Sequence, residues 1–433
     1  VAQSSAPSRA AVPVELSLRD AASRALAKNL DLRVARADTG FALAQLIGAR
    51  LRPNPSLAVQ TQTTGQTDAG RPEGATSISF TQELQLWGLR DNRMREATLE
   101  QQRAFYAIRD AERLVQREVA ATYRELVFQR QRVAFLDSLA RLNGRIARVA
   151  ELAFQQALGS ELDARISDAS THQALLDRDR ALREYDIGRL QFARLLGDSL
   201  DTVYSLSDSL PPAALRFLVL RTAAAAAPEA SVQFDLSQTG SDSLIRLALA
   251  GRPDVRAAEY AVQVSAASLT VARSVARPTV AVGGLLSRTR DNFSLGSQQG
   301  TSLRQEVGVG VVIGLPFNNR NQGEIARAEF AGASAALRLA NVRLTVERDV
   351  RVAAARVALA ASQVETFRQT ILPTSTAALR LAEAAFGRGQ VSIFQVLQVQ
   401  RTYVESSTGL LESFRQYAAA LADLEAAVGQ PVQ

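Results

Sequence analysis

Between Pro72 and Pro211 the chain contains no proline, and most of that stretch has the pattern of a helix. Apolar residues recur seven apart at Val119, Leu126 and Val133, then at Leu139 and Ile146, and at Leu142 and Val149. Such spacing is a coiled-coil seam. It predicts one helix from Arg90 to Phe154, about 65 residues or about 97 Å at the usual rise. Ordinary globular helices average about 12 residues. The last helix repeats the rhythm at Leu410, Phe414, Tyr417, Leu421, Leu424 and Val428.

The long helix ends in "AFQQALGSELD" (153–163), and a related phrase, "AFGRGQVSIFQ" (385–395), occurs 232 positions later. Gly159 suits a left-handed helix end. Ser160 then caps the next helix, with Asp163 three residues on as the second half of a capping box. Gly389, Ser392 and Gln395 repeat the arrangement. Each turn predicts a reversal between two long antiparallel helices.

Other segments also recur. "LAKNLDLRVA" (26–35) matches "LAGRPDVRAA" (249–258), and "PSLAV" (55–59) matches "PTVAV" (278–282), both 223 apart. "QREVAA" (116–121) matches "ERDVRV" (347–352) at 231, and "LLG" (195–197) matches "AVG" (427–429) at 232. The order is kept and the offset drifts once, where the polar stretch 64–75 corresponds to a longer loop at 287–303. This is the signature of an internal duplication. The expected organisation is a flexible tail 1–15, a first repeat 16–197, a connector 198–239, a second repeat 240–429 and a tail 430–433. The first repeat holds a β-hairpin at 55–86 and a helical hairpin at 90–197; the second holds them at 278–315 and 320–429. Pro373 should kink the second long helix.

Four segments alternate, at 55–63, 76–86, 278–287 and 304–315. Ile78, Phe80, Leu84 and Leu86 interleave with polar residues; Val307, Val309, Val311 and Ile313 interleave mostly with glycine. Their length suits tilted membrane-crossing strands. A small soluble sheet lying on a helix is the alternative. Four strands in lipid would leave two bare edges, so closure would need copies from other chains.

Composition narrows the chemistry. The 433 residues include 47% apolar residues, no cysteine and a net charge of +7, with Lys28 the only lysine. Disulfides, thiol nucleophiles and iron–sulfur clusters are excluded. The charges are spread along helix faces, which points to solvated surfaces rather than a nucleic-acid patch. No run of about 18 apolar residues exists for a membrane helix. The opening "VAQSSAPSRA" has the small, polar character of a mature end left after signal cleavage. His172 stands beside Thr171 and Gln173 and reads as a surface residue; with Met94 alone there is no soft-metal relay. No catalytic, cofactor-binding or metal-ligating set is present in this reading, and an enzyme is not expected.

The duplication, "RPNPSLAV" before the first strand, "FTQELQLWGLRDNR" and "IGLPFNNRNQGEIARAE" at the strand-to-helix joins, and the two turns together resemble the TolC family of outer-membrane efflux proteins. The first-half wording is similar to the branch serving cobalt–zinc–cadmium and copper exporters. The resemblance implies a mainly α chain with a small transmembrane β part. It implies a homotrimer forming a 12-stranded barrel in outer-membrane lipid and a helical tunnel through the periplasm. Its partners would be a periplasmic adaptor and an inner-membrane pump, and it would bind no cofactor. The turns, with Gly159, Ser160, Gly389, Gln390 and Ser392, match the family's adaptor-docking tips. The family's inward carboxylates at the entrance fall on Gln395 and Gln398, so amides would ring the pore. Asp163 resembles a position that ties neighbouring helices in the closed state, with Arg388 as its expected mate. Lipid-facing positions would be Ile78, Phe80, Val307, Val309 and Val311. Trp87 would be an interfacial anchor or a buried join between barrel and tunnel. The implied function is a passive exit duct of a tripartite efflux pump for heavy-metal cations. Multidrug export, type I protein secretion and, in another class, a soluble coiled-coil scaffold are the alternatives.

Overall fold

A computed structural model describes residues 14–64, 73–157, 159–207, 218–221, 231–234, 238–388 and 390–429. In chain order the elements are β1 (Val14–Leu16), α1 (Leu18–Lys28), α2 (Leu30–Arg50), β2 (Ser56–Thr64) and β3 (Glu73–Leu84). There follow α3 (Leu89–Gln155), α4 (Glu161–Leu196), β4 (Tyr204–Leu206), β5 (Leu218–Arg221) and β6 (Ser231–Phe234). The rest are α5 (Gln238–Gly251), α6 (Pro253–Val275), β7 (Thr279–Leu295), β8 (Gln298–Gly314), α7 (Gln322–Thr366), a π-helical turn (Phe367–Ile371), α8 (Leu372–Gly387) and α9 (Ile393–Val428). The order helix, helix, strand, strand, long helix, helix thus occurs twice, with the second long helix divided.

The long helix predicted over 90–154 is the 67-residue α3. Pro373 acts one turn upstream of itself. Lacking an N–H, it cannot continue the regular ladder, and Phe367–Ile371 takes wider π-helical bonds just before it. The Phe367 ring lies so close to Gly409 that a Cβ there would come within 2.6 Å of it. Two expectations are corrected. Val14 and Glu15, assigned to the tail, form β1, which pairs in parallel with β4; residues 1–13 and the tail 430–433 lie outside the described residues. The stretch 287–303, expected as a loop, is strand except for a two-residue turn at Gly296 and Ser297. Of the connector, β5 and β6 pair antiparallel, while its double proline and alanine run lie outside the described residues.

The chain divides into two compact units. The first comprises Val1–Arg36, Ala107–Val255 and Val342–Gln433 and contains two apolar clusters. In one, Ala21, Ala25, Val119, Tyr123, Leu126, Phe192 and Leu196 pack together. In the other, Leu244, Ala248, Val350, Ala354, Val357, Leu424 and Val428 do so. These are the same positions displaced by 223, 231 or 232, the offsets found in the sequence. Gly197 and Gly429 end α4 and α9 in left-handed conformations, φ 71° and 78°.

Each cluster is closed by a buried polar joint. Between α1 and α2, Asn29 donates to the Leu195 carbonyl at 2.8 Å and accepts from the Leu32 N–H at 2.9 Å. Between α5 and α6, Arg252 donates to the Ala427 carbonyl at 3.1 Å and forks onto Asp254 at 2.7 and 3.0 Å. One joint is neutral and the other ionic. Beside the first, Asp198, only 5% exposed, takes Arg24 at 2.6 Å and Lys28 at 3.0 Å and accepts from the Tyr204 hydroxyl. Burial pushes its carboxyl up, but the two cations outweigh it and hold it below the usual range. For Asp254 burial likewise opposes Arg252, which wins. Both groups contribute stability that is fully present above the unfolded-state value of about 4 and is lost as pH falls through their lower folded values. The melting temperature should therefore drop between about pH 5 and pH 3, and drop less in Asp198→Asn. Equal drops in the two proteins would show that the Asp198 cluster carries none of the acid sensitivity.

The second unit comprises Ala37–Tyr106 and Arg256–Asn341. Its centre is one antiparallel sheet in the order β2-β3-β7-β8, open at β2 and β8.

Candidate functional site: two helix reversals and an amphipathic sheet

At the first reversal, between α3 and α4, Ala157 takes the left-handed conformation, φ 57°. This corrects the assignment to Gly159, which is not in that region. Glycine is required at 159 for proximity instead: a Cβ would lie 3.0 Å from the Ala153 Cβ and 3.3 Å from the Phe154 nitrogen. Ser160 caps α4, accepting from the Leu162 N–H at 3.2 Å. Asp163 does not return a bond to the Ser160 N–H among the described residues; its side chain is one methylene shorter than the Glu or Gln of a capping box.

At the second reversal, Gln395 does reach back, its Oε1 accepting from the Ser392 N–H at 3.2 Å. Gln390 closes the turn through its N–H on the Ala385 carbonyl at 2.9 Å. Arg388 donates its Nε to the Ala384 carbonyl at 3.2 Å, satisfying an open helix end. The expected Asp163–Arg388 pair is absent among the described residues: the guanidinium serves its own helix. Gly389 lies outside the described residues. Gln395 and Gln398 are both exposed on α9, and the side chain of Gln395 is committed to its cap.

Behind the turns lies a polar tie that the sequence did not reveal. Gln400, 4% exposed, donates to the Asn143 side chain, and Asn143 donates to the Ser170 carbonyl at 3.1 Å. It joins α3, α4 and α9, and no residue near either amide in sequence hints at the match.

In the sheet, the register decides the chemistry. Residues paired across antiparallel strands project to the same face. Val59, Ile78, Leu286 and Val307 form one row; Leu57, Phe80, Gly284 and Val309 the next; Gln82, Val282 and Val311 a third; Leu84, Val280 and Ile313 a fourth. The opposite face carries Gln60, Ser77, Ser287 and Glu306, then Ala58, Ser79, Leu285 and Gly308, then Ser56, Thr81, Gly283 and Gly310. Over these four rows one face is almost wholly apolar and uncovered, with Val307 and Val309 82% and 89% exposed. All five positions expected to meet lipid lie on it. Trp87, half exposed, ends the sheet with φ 61° and donates its indole N–H to the Pro278 carbonyl at 2.9 Å, just before β7.

No helix is long and apolar enough to cross a membrane among the described residues. No group of three His, Cys, Asp or Glu side chains there could hold a metal ion. His172 is 70% exposed, its Nδ1 3.0 Å from the Asp168 carbonyl.

The structure superposes on CusC with a TM-score of 0.73 at 17% identity, covering 95% of this chain and 92% of that one. It superposes on VceC from Vibrio cholerae with a TM-score of 0.72 at 15% identity and 96% coverage of both. Residues 244–430 match the Outer membrane efflux protein family. In sequence the chain is 22% identical over 404 residues to the cobalt-zinc-cadmium resistance protein CzcC of Cupriavidus metallidurans, covering 92% of this chain and 86% of the relative. The second half of the chain thus resembles the outer-membrane efflux protein family.

Proposed function

We propose that this chain is the outer-membrane exit duct of a tripartite efflux pump, conducting its cargo passively. The observation that carries the reading is the apolar sheet face, continuous over four strands and bounded by two unpaired edges. Such a sheet is stable in hydrocarbon only when closed. Three copies would supply twelve strands, lipid meeting Ile78, Phe80, Val307, Val309 and Val311, with Trp87 at the interface. The helices would continue into the periplasm. The turns at 157–160 and 387–392 would meet the adaptor, which in turn meets the inner-membrane pump. Similarity to CzcC supports cobalt, zinc or cadmium ions as cargo, passing hydrated.

The test is reconstitution. The purified protein should require detergent, cross-link as a trimer and conduct in a planar bilayer, and its loss should sensitise cells to those metals. A detergent-independent monomer without conductance would replace the duct with a soluble scaffold; sensitivity to drugs alone would remove the metal cargo. The entrance gives a sharper expectation. Gln395 and Gln398 lie three apart on one helix face and carry no charge. Multivalent cations should block the wild type weakly, and Gln395→Asp with Gln398→Asp should block strongly. Tight block of the wild type would place the constriction on other side chains.

A further inference from the structure

On the apolar face, the two rows beyond Leu286 and Val307 change character. Arg288 pairs with Thr76 and Gln305, and Thr76 with Thr61; Arg290 pairs with Gly74 and Leu303, and Gly74 with Thr63. Two exposed guanidiniums thus stand on the same face as Ile78, Val307 and Val309, two and four residues past Leu286. None of their cross-strand neighbours is acidic. The nearby carboxylates Glu306 and Asp291 fall on the opposite face by register, and Glu306 is taken by Arg304 at 3.6 Å.

Their height is also informative. The tie from Trp87 to Pro278 marks the inner end of the sheet. Ten residues along β7 from there, at about 3.3 Å each and tilted about 40°, rise about 25 Å, the height of an apolar band in a membrane barrel. That distance ends at Arg288. A guanidinium there has its stem against the acyl chains and its head among the headgroups, with the hydroxyls of Thr61 and Thr76 in the same row.

We infer that Arg288 and Arg290 form a binding site for a phosphate-bearing lipid headgroup at the outer rim of the apolar band. The site rests on the duct reading. A guanidinium meets phosphate oxygens through two parallel N–H bonds, a geometry that a headgroup without phosphate does not offer.

The test uses the full-length protein, delipidated in detergent, with bound lipid counted by native mass spectrometry. The probes are diphosphoryl lipid A, lipid A stripped of its phosphates, and inorganic phosphate. The wild type should bind the diphosphoryl form about tenfold more tightly than the stripped form, the scale of one charge-assisted contact. Arg288→Gln with Arg290→Gln should remove that preference, whereas Arg304→Gln, on the opposite face, should keep it. An unchanged preference in the double variant would overturn the site. So would inorganic phosphate competing at equal concentration, which would indicate a free-anion site. Bilayer conductance of the same preparations separates the two readings. A conducting wild type without phosphate preference sinks only the lipid site, and altered ion selectivity in the double variant would put the arginines in the lumen. A wild type that neither inserts nor conducts would overturn the duct and the site together.

Discussion

Val309→Arg is expected to abolish recovery of assembled, heat-resistant protein from membranes. Val309 stands opposite Gly284, which has no side chain to cover it, in the row with Leu57 and Phe80. That row lies near the middle of the apolar band. A charge at the midplane of a barrel's lipid face costs roughly 2–4 kcal/mol, incurred once in every copy. The neighbouring position provides the control. Gly310 projects to the other face, and a Cβ added there meets nothing within 4 Å. Gly310→Ser should therefore assemble normally, although it lies one residue away, because successive residues alternate faces. Heat-modifiable gel mobility and conductance read both variants. Normal assembly of Val309→Arg would mean that this face does not meet lipid.

The second large effect is expected at Gly197. Its φ of 71° already disfavours any side chain, by about 1–2 kcal/mol. A Cβ there would also lie 2.4 Å from the Lys28 carbonyl oxygen, which belongs to backbone held by the buried Asn29 joint. Gly197→Ala should thus destabilise the first unit by about 3 kcal/mol, within the range of strained core changes. Gly429→Ala shares the left-handed penalty, but its nearest obstacle is the Arg252 Cγ at 3.1 Å, part of a side chain that can shift. It should lose about 1–2 kcal/mol. Chemical denaturation of the two variants decides the matter; equal losses would show that conformation alone, not the backbone clash, sets the penalty.

The long helices were legible because a heptad seam without proline leaves no other regular structure, and α3 ends within one residue of its expected bounds. The first hairpin was legible in its inner part, where Leu57 and Val59, and Ile78 and Phe80, alternate with small or polar residues; its outer end, 60–64 with 73–75, carries no such pattern. The outer half of β7 and β8 was not legible, since no regular alternation marks 288–303: Phe293, Leu295 and Leu303 stand singly among charged and polar residues. The reversal at 153–163 shows a different limit. A glycine beside a helix end can serve either a positive φ or a close approach, and sequence does not say which; Gly159 serves the second, leaving Ala157 to take the strained angle. The Asn143–Gln400 tie was out of reach because its members are 257 positions apart, and an amide on a helix looks the same whether solvated or buried. Asn29 and Arg252 did occupy matching places in repeated phrases, yet their shared task, satisfying the last carbonyls of α4 and α9, depends on packing.

Trp87 is the only tryptophan in the chain. Its indole is half exposed and hydrogen-bonded at the seam where β3 gives way to α3 and β7 begins. With excitation at the red edge, where the seven tyrosines do not absorb, emission therefore comes from a single point at that seam. Transfer from detergent into bilayers should shift that emission without any label, and lipids brominated at defined positions along the acyl chain should quench it most when the bromines sit near the headgroup. If the sheet enters the bilayer as proposed, the molecule carries its own gauge of how far it has gone in, and the same signal would follow its assembly in time.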